Sequence, residues 1–132
     1  MSQSNLEVAL AGYEALNGQD LQSWLMTLDE NVELHELAGV PDADIYRGHD
    51  AVRGWFEAGR EVVDDFGFEI EEIRDLGETI LARVRAHGTG RGGGVPFEQR
   101  VYHVLNFRNG VVWRLRGFVD EAEAFKAAGL RE

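Results

Sequence analysis

The chain contains no cysteine, only two prolines, and 13 basic side chains against 24 acidic ones. Lack of cysteine excludes disulfides, thiolate nucleophiles and Cys-rich zinc sites in one step. The shortage of cations leaves a formal net charge of −11 at pH 7. That balance argues against a nucleic-acid partner, because phosphate binding needs a basic face, and against anionic membrane surfaces. No apolar run approaches the roughly 20 residues that a membrane span requires. The opening residues also lack the basic-then-apolar pattern of a secretory signal. The expectation is a cytoplasmic protein with neither nucleic acid nor membrane as partner.

What is present suits a folded domain. The chain has 132 residues, 44% of them hydrophobic and 28% charged. That length fits a single domain over residues 1–132 with one continuous core. No internal repeat or linker interrupts it.

Leu6, Leu10, Tyr13 and Leu16 fall at helical spacings. Ser4 and Glu7 have the spacing of a capping box, and Asn17-Gly18 supplies a stop. A second short helix is predicted from Asp20, burying Leu21, Trp24, Leu25 and Leu28. Residues from Asn31 to Leu37 alternate as a strand does, and Ala38 to Asp44 reads as a loop. After Gly48 a longer helix is predicted to about Asp64. Its apolar stripe is Val52, Trp55, Phe56, Val62 and Val63, with Gly59 on the same face.

Four long strands follow. Phe66, Phe68 and Ile70 share one parity and Ile73 the other, which predicts a bulge near Glu71-Glu72. Ile80, Ala82, Val84 and Ala86 form one face of the next strand. Between Val95 and Phe107 one face carries Phe97, Val101, His103 and Leu105. Asn109-Gly110 is a hairpin turn, and a last short helix runs from Asp120 to Gly129. Helices gathered at one end of a curved antiparallel sheet make an α+β domain.

Few residues carry a chemical signal. Gly88-Thr89-Gly90-Arg91-Gly92-Gly93-Gly94 contains G-x-G-x-x-G, but a strand follows it where a dinucleotide site needs a helix, so it reads as a hairpin connection. His35, His49, His87 and His103 form no H-x-H or H-x-x-x-H pair, so neither a metal nor a cofactor is expected. Glu36 shares parity with Val32 and Leu34. Either it enters the interior, where a carboxylate in apolar surroundings suits proton transfer, or the strand has ended and it faces solvent. His103 stands in an apolar stripe, either as a hydrogen-bonded core residue or as a pocket group opposite Glu36. Tyr13, Trp55, Phe56, Val101 and Leu105 are candidates to shape such a pocket. Among the alternating Arg83, Arg85, Arg114 and Arg116, only Arg116 lies near a strand end, where it could meet an anion or carbonyl.

The runs Tyr13 to Asp20, Asp29 to His35 and Tyr46 to Arg53, followed by Trp55-Phe56, resemble SnoaL-like proteins of the nuclear-transport-factor-2-like superfamily. Arg108 to Val112 and Phe118 to Leu130 resemble the C-terminal pattern of the same family. The resemblance implies a cone: a strongly curved antiparallel sheet wrapped around a long helix, with N-terminal helices and a short C-terminal helix. It also implies a homodimer paired through the outer sheet face. Relatives include ketosteroid isomerases and polyketide cyclases as well as non-catalytic binding domains. Aligned on Leu16-Asn17 and Asp20, the isomerase base falls on Glu36, one oxyanion donor on Gly12 beside Tyr13, and the other on His103. The cyclases resemble this chain in a pocket His at His103, and their acid-base Asp falls on Gly117.

The resulting expectation is a protein that binds a small apolar molecule, with Glu36 and His103 as a catalytic pair. It would be a cofactor-independent isomerase, cyclase or lyase acting next to a carbonyl. The alternative is a non-catalytic ligand-binding or dimeric structural domain.

Overall fold

The computed structural model describes residues 4–37 and 44–130. Two helices open the chain, α1 (Asn5–Asn17) and α2 (Leu21–Leu25). Strands β1 (Leu28–His35) and β2 (Ile45–Arg47) lead to the long helix α3 (Gly48–Val62). Then come β3 (Val63–Asp75), β4 (Thr79–Gly90), β5 (Pro96–Arg108), β6 (Val111–Phe118) and helix α4 (Glu121–Ala127).

Local chemistry sets most boundaries as the sequence predicts. The Ser4 side chain accepts from the Glu7 N–H, and Glu7 bonds back to the Ser4 backbone, completing the capping box. Asp20 and Asp120 cap α2 and α4. Asn109 and Gly110 both have positive φ, 55° and 80°, the twist that a two-residue hairpin needs. The β3 bulge lies between Ile70 and Glu72. The glycine-rich stretch forms a hairpin, although its first three residues belong to β4.

Other boundaries shift. β1 starts at Leu28, which the sequence assigned to the second helix, and stops at His35, before Glu36. Three residues after the predicted loop form β2. Of that loop only Asp44 lies within the described residues. Val62 is 62% exposed rather than part of the buried stripe, because α3 gives way to β3 there. Val95 is 67% exposed, since the strand begins only at Pro96.

The strands form one sheet in the order β2-β1-β6-β5-β4-β3. All neighbours are antiparallel except β1 and β6, which run parallel. A parallel pair needs a long crossover, supplied by everything between β1 and β6. The sheet is open and not strongly curled: β2 pairs only with β1 and β3 only with β4. This corrects the expectation of a cone-shaped, strongly curved antiparallel sheet around the long helix. Closure requires the edge strands to meet through hydrogen bonds. A three-residue β2 offers little edge, and the apolar face is covered by helices instead. α1 packs on β3 and β4, and α3 packs on β1, β2 and β3.

The main core lies between these helices and the sheet. Val32, Val52, Ile80, Ala82 and Val84 are its most deeply buried members, each at most 1% exposed. A second, smaller core occupies the opposite face, where Ala124 of α4 packs with Leu81, Tyr102 and Val104.

Candidate functional site

An apolar cavity of about 220 Å³ opens between the N-terminal helices, α3 and the sheet. His103 of β5 lies on its wall and is buried. Its strand neighbours are Ala82 and Gly117, two small residues that leave space around the imidazole. Tyr13 of α1 reaches the ring from the helical side, with its hydroxyl 2.7 Å from His103 Nδ1. The two rings lie nearly parallel, with centroids 5.8 Å apart, and Phe68 meets the His103 ring edge-on at 4.9 Å.

Burial fixes the charge state of this pair. It pushes His103 down to about 4, so the imidazole is neutral near pH 7. It raises Tyr13 above its ordinary value, so the phenol keeps its proton. A protonated phenol can donate to a neutral imidazole nitrogen, and in that arrangement the imidazole hydrogen resides on Nε2. In that tautomer Nε2–H is the donor left for a ligand.

Glu36 lines the same cavity from just beyond the end of β1. It is half-buried and tied to the rim. Oε1 accepts from the Asp44 N–H at 2.9 Å, and the Glu36 N–H donates to the Asp44 carbonyl at 3.1 Å. The carboxylate therefore stands at the mouth, intermediate between the two readings open to the sequence.

Of the predicted pocket residues, Tyr13, Trp55 and Val101 line the cavity. Phe56 faces a neighbouring groove beside β3 and packs on Trp24, with ring centroids 5.9 Å apart. Leu105 borders a separate space of about 20 Å³ beneath α1. Arg116 is displaced furthest. Strand alternation puts Leu115 and Gly117 on the cavity side, so Arg116 points to the opposite face. There it donates to Asn106 Oδ1 at 3.1 Å and the Ala127 carbonyl at 3.3 Å. Partial burial, then the neighbouring Arg114, lower its pKa.

Several cavity residues escaped the sequence reading. Phe66 and Phe68 come from β3, and Phe97 and Gln99 from β5. A signal existed for two of them, because Phe97 and Gln99 share the parity of His103. Leu37 carried none, and Gly117 was marked only as the position where the acid-base Asp of the cyclases falls. A Cβ on Gly117 would come within 2.9 Å of Leu37 Cδ2, so glycine lets Leu37 fold over the strand. Among the described residues no group of three or more His, Asp or Glu could hold a metal ion. No helix among them is long and apolar enough to cross a membrane.

Helices laid over one face of a six-stranded sheet, with an apolar cavity between the layers, place the protein in the NTF2-like superfamily, with a ketosteroid-isomerase and polyketide-cyclase-like fold. The chain belongs to the SnoaL-like domain family, whose profile matches residues 9–115. It is similar to an NTF2-like protein of Burkholderia thailandensis, at 28% identity over 98% of this chain and 99% of that one, with a TM-score of 0.80. An NTF2-like protein of unknown function from Burkholderia pseudomallei is 22% identical over 96% and 98% of the two chains, with a TM-score of 0.80. A protein of ketosteroid isomerase-like fold from Catenulispora acidiphila, solved with trimethylamine, is 14% identical over 95% and 94%, with a TM-score of 0.77. At these identities the last two share the fold. No functionally curated protein matches the sequence.

Proposed function

We propose that the cavity binds a small, largely apolar carbonyl compound and catalyses cofactor-free proton transfer beside that carbonyl. The observation that carries this reading is the buried Tyr13–His103 pair on the wall of an apolar chamber that Glu36 also lines. The Glu36 carboxylate takes the proton from the carbon next to the carbonyl. The C–H electron pair becomes the enolate double bond, and the carbonyl oxygen takes the negative charge. His103 Nε2–H donates to that oxygen, where a fixed donor in an apolar site is most effective. Glu36 then returns the proton to another carbon, completing an isomerisation, or the enolate expels a leaving group, completing an elimination.

Glu36→Gln keeps the shape of the side chain and removes the base. Across a panel of cyclic enones and aryl ketones, kcat is expected to fall about 100-fold or more with KM little changed. Equal losses in binding and turnover would remove the base role.

A second reading has its own support, because Oε1 of Glu36 is already held by the Asp44 N–H. A rim carboxylate used in this way suits a carrier that binds without turnover. Saturable naphthol binding that survives both Glu36→Gln and His103→Ala would favour it. We also infer a homodimer paired through the outer sheet face. The support is that α4 covers only part of that face, leaving exposed ion pairs such as Arg100–Glu71 and Arg85–Glu69. Sedimentation equilibrium at monomer mass would overturn it.

A further inference from the structure

Beside the main cavity, a groove of about 130 Å³ runs between α3 and the start of β3. Trp55 and Phe66 line both spaces, so the two adjoin at these side chains. The rest of the groove is mostly apolar, with Phe56 and Val63 facing it. Gly59 lies along it, and a Cβ built there meets no atom within 4 Å. The helix surface at Gly59 is therefore open.

Arg60 is the one cation of the groove. Its guanidinium sits 5.7 Å from the centre of the Phe56 ring. Arg53, Arg74, Arg83, Arg85, Arg91, Arg100 and Arg108 all pair with carboxylates. Among the described residues Arg60 forms no such pair, and neither do Arg47, Arg114 and Arg116, but only Arg60 borders this groove. An unpaired guanidinium over an aromatic ring, at the edge of an apolar groove, is suited to a bidentate carboxylate.

We infer that this groove is a subsite of the cavity, and that it takes the carboxylate-bearing tail of an elongated aryl-alkanoic acid. The aryl group occupies the cavity beside His103, the alkyl chain passes Trp55 and Phe66, and the carboxylate rests on Arg60. This rests on the proposal that the cavity binds a ligand, and it adds the shape and charge of that ligand. Trp55, where the two spaces adjoin, is a built-in reporter.

The test uses three probes: 2-naphthol for the cavity alone, 6-(2-naphthyl)hexanoic acid, and 6-(2-naphthyl)hexan-1-ol. Each is titrated by calorimetry and tryptophan fluorescence against wild type, Arg60→Gln and Gly59→Leu. Leucine is a better helix former than glycine, so the second variant fills the groove without weakening α3. Wild type is expected to bind the acid about 10-fold more tightly than the alcohol. Arg60→Gln should erase that preference. Gly59→Leu should weaken both chain-bearing probes about 10-fold while leaving 2-naphthol unchanged. If 2-naphthol binds but acid and alcohol bind alike, or Gly59→Leu changes neither, the subsite is overturned and the cavity reading stands. If none of the three binds, both fall.

Discussion

Asn17, the last residue of α1, exchanges two hydrogen bonds with the backbone of Phe68. Its Nδ2 donates to the Phe68 carbonyl at 2.9 Å, and its Oδ1 accepts from the Phe68 N–H at 2.7 Å. The side chain thus acts as a one-residue strand on the free edge of β3. Gln19 adds a third bond, from Nε2 to the Phe66 carbonyl at 3.0 Å. These bonds hold Phe66 and Phe68, two walls of the cavity, in place beneath the helices.

Asn17→Ala is therefore expected to lower stability by about 2 kcal/mol, since it leaves two half-buried backbone groups without partners. For a domain of this size the melting temperature should drop by about 7 °C. Urea unfolding followed by circular dichroism measures this directly. A change below about 0.5 kcal/mol would show that water replaces the clamp without loss.

His103 predicts a pH dependence of stability. Its folded value of about 4 lies below the ordinary 6.5. Between these values the unfolded chain binds the proton and the folded one does not, so stability rises with pH across that window. The contribution is complete above about pH 6.5 and is lost as pH falls toward 4, amounting to about 3 kcal/mol. Urea midpoints for wild type and His103→Gln at pH 7.5, 6 and 5 isolate this group. The wild type should lose more stability than the variant on acidification, and parallel curves would contradict the assignment.

Tyr13→Phe tests the hydrogen-bond direction. Removing the hydroxyl should cost about 1–2 kcal/mol and leave Nδ1 without its donor. In nitrogen-15 spectra the wild-type ring should be the Nε2–H form, and the variant a mixture of tautomers. A wild-type proton on Nδ1 would reverse the polarity of the site.

Gly117 and Leu37 should be energetically coupled. Gly117→Ala places a methyl group within 2.9 Å of Leu37 Cδ2 and is expected to cost about 1–2 kcal/mol. In the Leu37→Ala background the same change should cost at least about 0.5 kcal/mol less. Strict additivity in this double-mutant cycle would mean that the strand, not Leu37, absorbs the added methyl.

The legible parts of the molecule are those set by neighbours in the chain. The Ser4–Glu7 box, the Asp20 and Asp120 caps and the Asn109-Gly110 turn each act within a few residues, so spacing alone reveals them. His103 could be placed toward the interior because strand parity alternates regularly. Glu36 could not, because β1 ends one residue before it and parity stops applying. Arg116 misled because nearness to a strand end says nothing of which face the side chain takes.

By itself, then, the sequence determined the helices and the long strands, since periodicity and capping are local properties, while the family showed only as a resemblance of its motifs. Only the tertiary structure decided that the sheet is open, that β1 runs parallel to β6, and that Tyr13 meets His103 across 90 residues of chain. Those outcomes depend on which apolar faces bury one another, and long-range burial leaves no fixed spacing in the chain. The cavity follows the same rule: Gly117 and Gly59 matter for the space they leave, which is visible only once their neighbours are in place.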